Sequence, residues 1–462
     1  MEKTRREKDS IGELDVPVEA YWGINTQRAI MNFKISGRAF SPEFIHSLAQ
    51  VKKACLIANK AAKLIPDDIA SAVESAIDEV LEGKFDDQFP IDIFQTGSGT
   101  QTNMNMNEVL SNRANEILGH TKGTKSPVHP NNTVNKSQSS NDIIPVAMHV
   151  SALRAMADLL LPALDRLRAS LGEKIEQFTD VVKVGRTHLQ DAVPIPLSTE
   201  FQVYKEQVET SITRDFSSAM DSLLRIPIGG TALGTGLNTP KGFAKRAADE
   251  LRKITGFKFK VNPVKAEGIS SHNAIVRTSA ALRSLALTCM KIANDIRWMG
   301  SGPRAGLGEL VLPQNEPGSS IMPGKVNPTQ SEALIQVSIQ VIGNDAAIAA
   351  AEGFGSILDL NVTKPVMIVN LLDSINLLAM GIDSFIKNCL QGLEVNQSRI
   401  DKQLEQSLMI VTRLAPVIGY DQAADIAKTA HATGKTIREV VIESGIKIDG
   451  DLDEILDPSK MV

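Results

Sequence analysis

Residues 150–178 read V-S-A-L-R-A-M-A-D-L-L-L-P-A-L-D-R-L-R-A-S-L-G-E-K-I-E-Q-F, with Val150, Leu153, Met156, Leu160, Leu164, Leu167, Leu171, Ile175 and Phe178 recurring three or four apart. On an α-helix that spacing aligns one apolar stripe, so the stretch predicts a long helix packing lengthwise against others. Pro162 lacks an amide donor, and a kink is expected there. A comparable seam through Leu282, Leu285, Cys289, Ile292, Ile296 and Met299 predicts a second long helix, and 198–224 and 366–390 read as further members of one bundle. Shorter helices are expected from Ser41 to about Leu64 and from Asp67 to about Leu81. Between Leu334 and Ile342, Ile335, Val337, Ile339 and Val341 alternate with polar residues, a local strand pattern. The length of the flanking apolar text favours helix instead, buried deep in the bundle.

Composition agrees with an all-α fold. Aromatic residues are only 4% of the 462 residues, too few for a β-sandwich core. A net charge of -5 gives no basic footprint for nucleic acid. No long uncharged run reads as a membrane span. Cys55, Cys289 and Cys389 are odd in number and embedded in apolar helical text, which predicts reduced core thiols, not a disulfide framework or a metal site. The charged start lacks a secretory core, so the cytoplasm is expected, or a mitochondrial matrix if a presequence has been removed.

The chemistry is expected in loops. Residues 316–332, E-P-G-S-S-I-M-P-G-K-V-N-P-T-Q-S-E, hold Pro317, Pro323, Pro328, Gly318 and Gly324, which exclude regular structure. A loop carrying Ser319, Ser320, Lys325 and Asn327 could close over an anion, or be an ordinary solvated turn; spacing alone favours neither. In 95–108, Q-T-G-S-G-T-Q-T-N-M-N-M-N-E, Gly97 and Gly99 allow an anion nest, with Ser98, Thr100 and the alternating Asn103, Asn105 and Asn107 as neutral donors. On its own it reads as a loop entering a helix after Asn107. In 129–142, Ser139, Ser140 and Asn141 are good helix caps, with Pro145 expected in the first turn, and a helix start is a natural seat for a carboxylate. A lone histidine such as His188, in G-R-T-H-L-Q-D-A-V-P, is more often structural than catalytic. The glycine loop at 229–238 reads as packing and site wall.

G-S-S-I-M-P-G-K-V-N-P at 318–328 resembles the signature of the fumarase/aspartase superfamily, and T-Q-S-E-A-L with Gly324 is more similar to its class II fumarase branch than to the aspartases. The segments at 16–28, 95–108, 129–142 and 185–194 follow in the same order. The resemblance implies a three-domain fold: an N-terminal, mostly helical domain (1–138), a long-helix bundle carrying the catalytic loop (139–393) and a small helical domain (394–462). It also implies a homotetramer with a shared helical core and active sites drawn from several chains, acting on a small dicarboxylate without metal or organic cofactor.

Under that resemblance, fumarate and L-malate interconvert by anti addition and elimination through a carbanion. Ser319 would be the base, Lys325 and Asn327 would hold the developing charge, and His188, oriented by Glu332, would handle the water proton. Ser98, Gly99, Thr100, Ser139, Ser140, Asn141, Thr187, Ser320 and Val326, with Lys325 and Asn327, would bind substrate. His129, Pro130, Asn131 and Asn132 match a secondary anion site, although position 132 is usually aspartate there. The competing readings are an aspartate ammonia-lyase, a hydratase of a substituted fumarate such as mesaconate, and a catalytically retired helical oligomer. The P-V-K-A-E-G-I-S-S-H text at 263–272 departs from the family pattern.

Overall fold

A computed structural model describes residues 3–462; Met1 and Glu2, with which the expected first domain begins, lie outside it. Helices make the framework. Among the described residues, strands occur only in five two-stranded sheets. The chain gathers into two compact units: Met1–Leu161 with Thr213–Ser284 and Ile339–Leu378, and Pro162–Ile212 with Leu285–Ser338 and Ala379–Val462.

The first unit opens with the antiparallel hairpin β1 (Thr4–Lys8) and β2 (Glu13–Pro17), then α1 (Ile24–Asn32), α2 (Pro42–Ala61), α3 (Asp67–Leu81), α4 (Thr100–Ile117) and α5 (Ser140–Ala155). The buried Glu108 of α4 ties down the start of α1, accepting from the amides of Gly23 (2.9 Å), Asn25 (2.9 Å) and Thr26 (3.1 Å) and from the Thr26 hydroxyl (2.7 Å). That many donors satisfy a carboxylate that burial alone would disfavour. Helix α2 packs on α3 and α5. A π-helical turn, Met156–Leu160, separates α5 from α6 (Leu161–Gln177). The expected irregularity therefore lies just before Pro162, where its missing amide interrupts the ladder.

The second unit carries the hairpin β3 (Val182–Thr187) and β4 (Gln190–Pro196), paired from Val182↔Pro196 to Thr187↔Gln190, followed by α7 (Leu197–Thr210). A buried charge cluster sits under the hairpin. Glu309, fully buried, meets Arg186 at 2.6 Å and Lys183 at 3.3 Å, and Lys183 also meets Glu200 at 3.1 Å. Residues from 410 onward pack their own apolar cluster around Ile410, Leu414, Ile426, Ile437, Val440 and Leu456.

The remaining first-unit helices are α8 (Ser217–Leu223), α9 (Phe243–Thr255) and α10 (Glu267–Ser270), while α11 (Asn273–Met299), α12 (Thr329–Gly355) and α13 (Lys364–Phe385) are divided between the units. The stretch 334–342 is helical, as its flanks predict, but its depth is not as expected. Leu334 and Val341 are buried while Ile339 is 58% exposed, so one face of α12 finds no cover within the chain. Three helices, Ser140–Gln177, Thr329–Gly355 and Lys364–Leu390, also have the length and mean hydropathy of a membrane crossing, correcting the expectation that no such run exists. In the first and third, 78% and 61% of the most apolar window is buried against the protein itself; in α12 only 33% is. The reason is the same seam: a helix designed for a bundle core is as apolar as one designed for lipid.

Candidate active site

Two helix starts converge in the first unit. The Ser98 hydroxyl lies 2.7 Å from that of Thr100, and Thr100 lies 2.8 Å from the hydroxyl of Ser140, so a chain of three hydroxyls joins the first residue of α4 to the first residue of α5. Both helices present free amides and partial positive charge at that end. Gly99 precedes α4 directly. Gly97 is required by close approach: a Cβ there would stand 1.4 Å from the Val362 carbonyl oxygen. Helix α4 starts at Thr100, seven residues before the end expected for the loop. Asn103, Asn105 and Asn107 are consequently buried helix residues, bonding Asn135, the Gln88 carbonyl and Met104, and do not form a donor array.

Ser139 is the N-cap of α5, accepting from the Asn141 amide at 3.2 Å, while its own amide donates to Asp142 at 2.9 Å, a capping box. Pro145 lies inside the helix, a turn later than expected, so the Asn141 carbonyl loses its α-helical donor. The Asn141 side chain donates to the Ala232 carbonyl (2.9 Å), and Asp142 accepts from the Thr231 amide (2.9 Å), which makes the 229–238 loop the wall that the sequence predicts. Beneath it, Lys52 donates to Asn135 (3.0 Å) and Gln138 (2.9 Å). Burial pushes the Asp142 carboxyl up to about 6 and the Lys52 ammonium down to about 7, each shift opposed by the other's charge. Neither residue stands out in the sequence, because nothing in their spacing announces a buried pair.

In the second unit the 316–328 loop is clasped at its base. The Gly318 amide donates to the Lys325 carbonyl (3.0 Å), and the Asn327 side chain donates to the Gly318 carbonyl (2.5 Å). A Cβ on Gly318 would stand 2.2 Å from that Lys325 oxygen. Within the loop the Ser319 hydroxyl oxygen accepts from the amides of Ile321 (3.3 Å) and Met322 (3.1 Å). Ser320 and Lys325 are exposed, Val326 half-buried, and Glu332 projects from the first turn of α12.

His188 sits at the tip of the β3–β4 hairpin next to Thr187. His188 and Leu189 both take left-handed backbone conformations, φ 56° and 60°, as a two-residue hairpin turn requires. The expected pairing of His188 with Glu332 is not made within the chain; neither side chain has a hydrogen bond or ion pair among the described residues. The 129–132 segment forms a π-turn over Pro130–Val134, in which His129 Nδ1 accepts from the amides of Asn131 (3.0 Å) and Asn132 (3.2 Å). Burial and the nearby Lys125 charge lower the pKa of His129, keeping the ring neutral enough to accept.

A family model described as lyase matches residues 12–343, and one described as fumarase C C-terminus matches residues 410–462. The chain is 49% identical over 461 residues to a class II fumarate hydratase of Nitrosomonas europaea, covering 100% of this chain and 99% of that protein. Among solved structures, a fumarate lyase:delta crystallin from Brucella melitensis superposes with a TM-score of 0.96 at 42% identity, covering 99% of both chains. A class II fumarase from Schistosoma mansoni superposes with a TM-score of 0.95 at 38% identity, also covering 99% of both.

Proposed function

This chain belongs to the class II fumarase family of lyases, and from that premise we propose how its own residues carry the chemistry. It is a hydro-lyase that interconverts fumarate and L-malate.

The observation that carries the assignment of roles is the Ser319 oxygen, held by two backbone amides in a clasped loop that also bears Lys325. A serine hydroxyl is far too weak a base to take a carbon-bound proton. Two amide donors aimed at the same oxygen favour its oxyanion, which is the form the reaction needs. Ser319 removes the proton beside a substrate carboxylate, and the resulting charge flows into that carboxylate. Lys325 and Asn327 stabilise it, a contribution that mutagenesis of comparable donors puts on the order of a hundred- to thousandfold in rate.

The hydroxyl chain Ser98–Thr100–Ser140 and the two helix starts around Gly99, Ser139 and Asn141 seat the carboxylates, with Thr187, Ser320 and Val326 completing the pocket. His188 passes the proton of water or hydroxide, and Glu332 orients it. Because neither side chain has a partner among the described residues of its own chain, the pairing is assigned to different subunits. The uncovered face of α12 supports a homotetramer in which helices of several copies pool into one core and each site is shared. His129, Asn131 and Asn132 are assigned to a secondary anion site at the ring's outer nitrogen, since its inner one is already occupied by amides.

The deciding experiment follows fumarate absorbance after adding L-malate, and separately L-aspartate, to the purified protein. A rise with malate that Ser319→Ala abolishes, in an assembly of unchanged size, supports these roles. Near-normal turnover by Ser319→Ala would remove Ser319 as base.

A further inference from the structure

Asp142 is fully buried and divides its two carboxylate oxygens between two walls of the candidate site. Oδ1 accepts from the Ser139 amide (2.9 Å), three residues back along the chain, while Oδ2 accepts from the Thr231 amide (2.9 Å), 89 residues further on. Its neighbour Asn141 donates to the Ala232 carbonyl (2.9 Å), so consecutive residues of α5 grip consecutive residues of the 229–238 loop. The buried Lys52 gives its donors to the neutral side-chain carbonyls of Asn135 and Gln138, with Asp142 as a nearby countercharge.

The loop needs that grip. Thr231 adopts φ 55°, a left-handed conformation that a β-branched residue takes only under strain. Its hydroxyl is buried with no hydrogen-bond partner among the described residues, so the side chain does nothing to hold the backbone there. The bond from its amide does. A hydrogen bond to an ionised acceptor is among the strong ones, and it is large enough to offset strain of that kind.

Granted the carboxylate seat assigned to Ser139, Ser140 and Asn141, on which this rests, we propose that Asp142 is a positioning residue for the reaction, holding Thr231 and the start of α5 in register so that the seat keeps its shape. Asp142 does not touch substrate, because both its oxygens are taken by backbone amides and it is closed off from solvent. Beside an anion's seat a buried negative charge would by itself weaken binding, so its presence is explained by what it holds. An amide side chain at this position keeps a single accepting oxygen. It would retain the local bond to Ser139, which the helix start already places, and release Thr231.

The test is steady-state kinetics of L-malate dehydration by the intact enzyme, in parallel on wild type, Asp142→Asn, Asp142→Asn/Thr231→Gly and the seat variant Ser140→Ala. In Asp142→Asn, kcat/KM is expected to fall on the order of ten- to a hundredfold, with KM raised. Mere loss of folded protein lowers the apparent kcat and leaves KM alone, and removal of a negative charge by itself lowers KM for a dianion; only a displaced seat raises it. Glycine takes φ 55° without strain, so Thr231→Gly in the Asp142→Asn background should restore kcat/KM about fivefold. Should Asp142→Asn fail to assemble, Asp142→Asn/Lys52→Met, which also removes the cation left without a countercharge, carries the same comparison. An unchanged or lowered KM in Asp142→Asn, or no rescue by Thr231→Gly, would overturn the positioning role alone if Ser140→Ala raises KM. A normal KM in Ser140→Ala would remove the seat itself, and the role with it.

Discussion

Asn327 reaches back across the 316–328 loop and donates its side-chain amide to the Gly318 carbonyl at 2.5 Å, so the residue that shuts the loop is also the one to which the proposed mechanism assigns the developing charge. Asn327→Leu removes the donor while keeping the bulk. Turnover of malate is expected to fall on the order of a hundred- to thousandfold, with thermal stability nearly unchanged because the loop is largely exposed. A variant with normal kcat would separate the clasp from catalysis.

Gly97→Ala should act on stability instead. Its new methyl would meet the Val362 carbonyl, and the adjoining Lys364 amide, bonded to the Gly97 carbonyl at 3.0 Å, would have to move with it. Overpacking against backbone is expected to remove roughly 3 kcal/mol. Chemical denaturation of the two proteins side by side measures this, and equal midpoints would contradict the close approach.

Glu309→Gln strips the carboxylate from Arg186 beneath the His188 hairpin, while Lys183 keeps Glu200. Leaving such a cation uncompensated costs about 3–5 kcal/mol. Arg186→Met added to Glu309→Gln should recover part of that loss, which a double-mutant cycle by thermal unfolding reads directly. No recovery would mean that the pair is not coupled.

Burial lowers the His149 pKa from 6.5 to about 4. Between those values the unfolded chain binds a proton that the folded chain refuses, so this residue's contribution is complete above about pH 6.5 and is lost as pH falls through the window toward 4. The loss amounts to roughly 3 kcal/mol at the acid end. Unfolding measured from pH 7 to pH 4 should show a shallower acid slope in His149→Gln than in the parent, and parallel slopes would exclude the histidine as the cause.

The proposed sharing of active sites between chains makes mixing informative. Ser319→Ala and Thr100→Val, each inactive alone, are expected to regain partial activity when co-expressed or refolded together, because some sites would then draw both intact groups from different chains. Mixed tetramers that stay as inactive as either parent would place the whole site in one chain.

Much of this architecture is legible in the sequence because periodicity is a local property. Asp67–Leu81 reads as a helix with the bounds it has, and the seam 150–178 is helical throughout, apart from the π-turn at Met156–Leu160 and Phe178 just past the end. Misreadings arise where a local rule meets a longer-range one. Asn103, Asn105 and Asn107 look like loop donors, yet Gly97 fits under Val362 and lets the helix start at Thr100. Pro145 reads as a first-turn residue, and the capping box sets the helix start earlier, at Ser140. The candidate site residues are recognisable as a motif, whereas the Lys52–Asp142 pair and the bond from Thr231 to Asp142 depend on burial, which no spacing of residues encodes.

The open face of α12 bears on how the enzyme comes into being. A newly made chain that has completed its own helices still presents Ile339 to water, and in the proposed homotetramer only collision with another copy removes it. Maturation therefore contains a second-order step, slower in dilute solution, during which the same face can stick to the wrong neighbour. The yield of active enzyme on refolding should pass through an optimum in protein concentration, limited by scarce partners below it and by aggregation above.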